Sequence, residues 1–205
     1  MTIGIVDYGG GNLRSLENAL ARLGLPCRRL TAARAVAGTD RLVLPGVGHF
    51  GAASEQLAVS GLGEAVRAVA GRGGRVLGVC LGMQLLFESS AEAPGARGLG
   101  LLPGCFRRLG EAPFAGGPPD RPLKVPHTGW DRVDFGPGRP AGWFYFVHAY
   151  ALPASDVSRD GLEAGWCDHG GPFLASLRRG GLAGAQFHPE KSGEAGLQFL
   201  EEVLS

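Results

Sequence analysis

From Ile3 to Val79 the chain alternates short apolar runs with amphipathic stretches, and that alternation narrows the possible folds more than any other feature. "IGIVD" (3–7) predicts a buried strand that runs straight into the glycine turn "YGGGN". Leu13, Leu16, Leu20 and Leu23 then recur at helical spacing, with Asn12 placed to cap the helix and Gly24 and Pro26 to stop it. "CRRLT" (27–31) and "RLVLP" (41–45) predict two more strands, "EAVRAVAGRG" (64–73) a helix, and "RVLGV" (75–79) the next strand. Strands that alternate with helices need a parallel sheet covered on both faces.

The second half differs. "PLKV" (122–125), "DRVDF" (131–135), "WFYFVHAY" (143–150), "FLASLRR" (173–179) and "LAGAQF" (182–187) are strand-like runs between Gly/Pro turns. The expected fold is therefore an α/β one: an open, mixed, mainly parallel sheet with helices on both faces and antiparallel strands in the C-terminal half. "SGEAGLQFLEEVL" closes the chain as an amphipathic helix with Ser192 as its cap. The loop Glu111–Pro122 is too short for a linker, so residues 1–205 are expected to form one domain.

Composition excludes several classes of function. Hydrophobic content of 44% with 19% charged residues is that of a globular protein. No apolar run reaches the roughly 18 residues a bilayer requires, and "MTIGIVDYGGGN" lacks a basic start, so a cytoplasmic protein is expected. A net charge of +1 gives no steering toward nucleic acid or anionic membrane. Cys27, Cys80, Cys105 and Cys167 form no C-x-x-C pair, so free thiols are expected and neither a metal nor a cofactor.

Cys80 stands apart from the other three. It lies between Gly78 and Gly82 where "RVLGV" gives way to the helical pattern "GMQLLFES", a cysteine form of the G-x-S-x-G nucleophile elbow. Such a strand–elbow–helix exposes the side chain on a strained turn, and the helix start favours the thiolate. The Leu81 N–H, next in chain, would point at the oxygen of a carbonyl under attack. Of five histidines, His188 in "AGAQFHPEKS" follows a strand and would share a sheet edge with Cys80 if the two strands are parallel. Pro189 fixes the backbone there, and Glu190 can return to the imidazole as the third member of a triad. The loop "LPGVGHF" (44–50) can bring its amides over Cys80 if the strand before it neighbours the elbow strand.

These residues resemble a class I, or triad, glutamine amidotransferase domain, through "GVCLGMQ" and "FHPEKS". "DYGGGN", "LPGVGHF", "VPHTGWD" and "YFVHAY" narrow the resemblance to the glutaminase subunits of imidazole glycerol phosphate synthases, over nearly the whole chain. The resemblance implies a catalytic set of Cys80 as nucleophile, His188 as base and later acid, and Glu190 as the orienting carboxylate. It implies oxyanion amides from Leu81 and Val47 in the Gly46–Gly48 loop, with Gln84 and Gly48 beside the substrate glutamine. It also implies a partner, a (β/α)8-barrel cyclase bound as a heterodimer, which uses the ammonia in histidine biosynthesis. Asn12, Trp130, Tyr145, His148 and Lys191 would face that partner. Phe144 and Phe146 are expected in the core instead. The chain departs from the family pattern at Gly10, Thr128 and Asp131, none of them in the triad. Rival readings are a glutaminase domain serving another acceptor synthase, a stand-alone cysteine hydrolase and a catalytically dead binding subunit. The glycines of "PGVG" can swing a peptide plane, so activity is expected to depend on the partner.

Overall fold

The computed structural model describes residues 2–116 and 123–205. Seven strands form the main sheet. Five of them are parallel: β1 (Ile3–Val6), β2 (Cys27–Leu30), β3 (Arg41–Leu44), β4 (Arg75–Val79) and β12 (Leu182–Ala185). Then β11 (Pro172–Arg179) and β10 (Glu163–Asp168) extend it antiparallel, giving the order β10-β11-β12-β4-β3-β1-β2. β1, β3 and β4 are sandwiched, which is why their sequences read as nearly unbroken apolar runs, whereas β2 at the sheet edge exposes Arg28 and Arg29.

Successive residues send their side chains to opposite faces. Ile3, Ile5, Val43, Leu77 and Val79 pack on one side, against α1 (Leu13–Arg22) and the final helix α6 (Gly193–Leu204). Val6, Leu42, Leu44 and Val76 pack on the other, against α2 (Ala33–Ala37), α3 (Phe50–Val59) and α4 (Leu62–Gly71). A short helix, α5 (Leu81–Leu86), leaves the end of β4, the middle strand of the sheet. Outside the main sheet lie β5 (Phe87–Ser90), β6 (Leu102–Arg108) and β9 (Tyr150–Ala151), and a hairpin of β7 (His127–Val133) and β8 (Gly142–His148).

Several expectations need correction. Leu123–Val125 form no strand; pairing starts at His127, after the cis peptide at Pro126. "DRVDF" is the second part of a strand that begins four residues earlier. "WFYFVHAY" is broken after His148, where the chain passes from the hairpin to β6. The pattern "GMQLLFES" is helical only to Leu86. From there the carbonyls of Leu85, Leu86 and Glu88 accept from Leu99, Leu101 and Gly98, and Phe87–Ser90 joins β6. Neither Asn12 nor Ser192 caps its helix through the side chain. Ser192 is committed elsewhere: its hydroxyl donates to the His188 carbonyl at 2.7 Å and accepts from the Tyr145 N–H at 2.9 Å. Of the loop Glu111–Pro122, residues 117–122 lie outside the described residues.

Candidate active site

Three adjacent strands, β3, β4 and β12, run parallel and end at the same sheet edge. The loop Pro45–Gly48, the turn at Cys80 and the segment Gln186–Glu190 follow directly from them, which brings together residues far apart in sequence. Crevices at the carboxyl ends of parallel strands are where such sheets bind ligands.

Cys80 has φ 54° and ψ −112°, and it is the only non-glycine residue with positive φ among the described residues. Holding that conformation costs about 1–3 kcal/mol, and the surroundings enforce it. A Cβ on Gly78 would stand 2.6 Å from the Gly82 carbonyl oxygen, and one on Gly82 would stand 1.8 Å from the Leu44 oxygen. Only glycine lets β4, the turn and β3 approach so closely. The Cys80 N–H donates to the Ala185 carbonyl at 2.7 Å, tying the elbow to β12.

His188 and Glu190 are almost fully buried, and Nδ1 of His188 lies 2.9 Å from Oε1 of Glu190. A carboxylate facing Nδ1 fixes its proton there. Burial disfavours the charged imidazole, but the facing Cys80 sulfur and the Glu190 carboxylate outweigh it, and the His188 pKa is raised to about 10. Nε2 of His188 is buried without a hydrogen-bond partner among the described residues. We read the raised pKa as electrostatic facing of sulfur and ring, with the Cys80–His188 hydrogen bond still to tighten on substrate binding. The backbone N–H of His188 donates to the Tyr145 carbonyl at 2.9 Å, so β8 and Ser192 together brace this turn.

A cavity of about 410 Å³ opens over the sulfur, lined by Val47, Gly48, Cys80, Leu81, Gln84 and His188, among others. The loop Pro45–Gly48 presses on the elbow: a Cβ on Gly46 would come within 2.8 Å of the Gly82 nitrogen. Gln84 is buried, its amide nitrogen 3.1 Å from Oε1 of Gln186 and 3.4 Å from the Tyr150 carbonyl. A slightly larger cavity, about 460 Å³, lies beside β10 and β11; it holds neither cysteine nor histidine. Chemistry, not size, selects the first.

Sequence reasoning missed two residues here. Gln186 is fully buried and its amide points at the Cys80 sulfur, 3.8 Å away. Its place directly before "FHPE" was the available signal. Glu92 is the one carboxylate lining the cavity among the described residues, with Oε2 accepting from the Phe50 N–H at 2.7 Å. No local pattern marks it.

The residues expected to face a partner separate into two groups. Trp130 is 54% exposed on the outer face of the β7–β8 hairpin, paired across the ladder with half-buried Tyr145. The Lys191 ammonium lies 5.8 Å from the centre of the Tyr145 ring, and Asn12 is exposed beside a crevice that reaches His188 and Glu190. His148 instead points inward. It is buried, lines the cavity, donates Nδ1–H to the Tyr150 carbonyl at 2.9 Å, and burial lowers its pKa to about 3. Alternation along β8 explains this: Phe144, Phe146 and His148 share the inner face, Trp143, Tyr145 and Val147 the outer one. Phe144 and Phe146 lie in the core as expected, and Cys167 is buried while Cys27 and Cys105 are half-buried.

The model of the family described as "Glutamine amidotransferase class-I" matches residues 4–204. The chain belongs to this family. Among curated members, the imidazole glycerol phosphate synthase subunit HisH of Moorella thermoacetica is 43% identical over 97% of this chain and 92% of its own. The Arabidopsis thaliana chloroplastic imidazole glycerol phosphate synthase hisHF is 38% identical over 98% of this chain, which spans 33% of that longer protein. A crystal structure titled as a glutamine amidotransferase superposes with a TM-score of 0.74 at 21% identity, covering 98% of both chains. That likeness supports the amidotransferase fold. No helix among the described residues is long and apolar enough to cross a membrane.

Proposed function

We propose that the chain forms one glutaminase domain, works in the cytoplasm, and carries its chemistry at the Cys80 elbow. It hydrolyses glutamine to glutamate and ammonia and delivers the ammonia to a cyclase subunit, in the synthesis of imidazole glycerol phosphate for histidine. The observation that carries the reading is the convergence of strained Cys80 with the buried His188–Glu190 pair at the ends of three adjacent parallel strands.

The Cys80 sulfur attacks the carboxamide carbon of glutamine, forming a C–S bond and an oxyanion. The N–H groups of Leu81 and Val47 receive that charge where it develops, the largest single contribution such sites make. His188, holding a proton between sulfur and Glu190, passes it to the departing nitrogen as the C–N bond breaks. Ammonia leaves and a glutamyl thioester remains. Water then attacks the thioester, His188 takes its proton, and the C–S bond breaks to release glutamate. Glu190 keeps Nδ1 protonated throughout, so Nε2 is the atom that works. Gln84 and Gly48 line the space for the substrate chain, and Glu92 supplies a carboxylate suited to its α-ammonium group.

The exposed aromatic face of the hairpin, with Trp130 and Tyr145 and the neighbouring Lys191 and Asn12, suits a protein partner. We place the cyclase barrel there, with His148 as a wall of the cavity and not a contact. The test is covalent. A glutamine-shaped chloroketone should add once, to Cys80, with glutamine protecting and Cys80→Ala abolishing the adduct by mass spectrometry. Labelling that glutamine does not prevent, or that falls on another cysteine, contradicts the assignment.

A further inference from the structure

The β7–β8 hairpin carries a second group of polar side chains, in which His127 is buried and Asp131 partly exposed. Antiparallel pairing sets His127 opposite His148, and alternation along β7 puts Asp131 on the same inward side as His127. His169, in the turn after β10, stacks on His127 with 4.0 Å between ring centroids and 16° between planes.

Hydrogen bonds fix the tautomer of each ring, because a carbonyl oxygen only accepts. Nδ1 of His148 faces the Tyr150 carbonyl at 2.9 Å and carries the proton. Its Nε2 is then the acceptor in the 3.1 Å contact with His127, and Nδ1 of His127 donates. That leaves a lone pair on Nε2 of His127, and it faces Oδ2 of Asp131 at 3.2 Å. His169 donates Nε2–H to the Lys124 carbonyl at 2.8 Å, so its own lone pair is on Nδ1. Each of the three side chains brings one ligand atom to within 4.8 Å of the other two, with the stacked ring planes not yet aimed at one point. Among the described residues no N–H donates to these three atoms, so a cation relieves the arrangement.

We propose that His127, Asp131 and His169 form a binding site for a divalent transition metal of the zinc class. The donor set selects the ion: two imidazole nitrogens and one carboxylate suit zinc, cobalt or nickel, whereas magnesium and calcium prefer oxygen. Spacing agrees. Two ligands of a tetrahedral centre with bonds of about 2.1 Å lie about 3.4 Å apart, against 3.2 Å between Nε2 of His127 and Oδ2 of Asp131. The other N–H of His127 already has an acceptor, Nε2 of His148 at 3.1 Å, the outer arrangement that orients metal-binding histidines. The carboxylate is held as well, since Oδ1 of Asp131 accepts from the Arg132 N–H at 2.7 Å. His169 must turn its ring out of the stack for its lone pair to converge. It is half-buried in a turn, and a histidine χ2 is a soft torsion. An ion there would pin the hairpin to the turn after β10 and hold His148 in the cavity wall.

The test is a Co²⁺ titration of the full chain carrying Cys80→Ala, which removes the thiol of the cavity as a competing ligand, followed by visible absorption. One Co²⁺ per chain is expected, with the spectrum of a four-coordinate ion, displaced by Zn²⁺. Loss of an outer partner alone weakens such sites about 10- to 100-fold, so His169→Gln and Asp131→Asn should each weaken binding by at least about tenfold. Thermal unfolding of each variant checks that it folds. Absence of the cobalt band in the Cys80→Ala chain overturns the proposal, as does a band that both ligand substitutions leave unchanged. Because the readout is binding in a chain without its nucleophile, it is independent of the glutamine chemistry.

Discussion

Replacing Glu190 with glutamine removes one negative charge while keeping the volume and a carbonyl oxygen that can still accept from Nδ1 of His188. The two groups are 2.9 Å apart at their closest atoms and both almost fully buried. With charge centres about 4 Å apart and an effective dielectric constant of about 20, their attraction is about 4 kcal/mol. That corresponds to about three pH units in the imidazole pKa. The sign is fixed: losing a nearby anion destabilises the imidazolium, so the pKa falls from its raised value of about 10. Two consequences can be read separately. The His188 ring resonances should titrate about three pH units lower in Glu190→Gln. Glutamine turnover should fall about a thousandfold or more, as when a triad carboxylate is neutralised elsewhere. Folding should survive, because Oε2 of Glu190 is buried without a partner among the described residues and the substitution removes a buried charge. An unshifted His188 titration would refute the electrostatic role, whatever happened to the rate.

Linkage extends this to stability: His188, raised from 6.5 to about 10 in the fold, contributes stability that is complete below pH 6.5 and lost as pH rises through about 10. Urea midpoints from pH 7 to 10 should therefore fall more in the native chain than in Glu190→Gln; parallel curves would contradict it. Gly82→Ala drives a Cβ to 1.8 Å from the Leu44 oxygen, so it should lower the melting temperature and abolish Cys80 labelling, the overpacking costing about 1–3 kcal/mol or more. Gln186→Leu removes the amide 3.8 Å from the Cys80 sulfur and the nearer partner of Gln84, leaving that amide only its 3.4 Å contact with the Tyr150 carbonyl. Slower alkylation and a raised KM for glutamine are expected; no change in either would make Gln186 a filler.

What the sequence made legible was whatever chain-local chemistry determines. The apolar runs of β1, β3 and β4 are buried on both faces, so they declare themselves. Gly78 and Gly82 announce the elbow because no other residue fits there. The periodicity predicts a longer α5 because it continues through Phe87, while partners 10 to 15 residues ahead take the carbonyls that would extend the helix. Strand β10, "EAGWCD", was invisible: its inward positions are Gly165 and Cys167, with no β-branched residue to signal pairing. α3 is legible in the helical spacing of its buried residues Phe50, Ala53 and Leu57. Glu92 and the His127–Asp131–His169 group come together only through tertiary packing, and no spacing along the chain reveals them. His148 shows a subtler limit, since an aromatic-rich strand does not declare which of its two faces is the outer one.

The most direct test of the whole account is ammonia release from glutamine by the purified chain, measured alone and with a cyclase subunit carrying its nucleotide substrate, with Cys80→Ala as the blank. The account predicts slow hydrolysis alone, a large rise with the loaded cyclase, and nothing from the variant under either condition. Full activity alone, indifferent to the cyclase, would keep the Cys80 chemistry but contradict the partner; ammonia release by the Cys80→Ala chain would contradict the site itself.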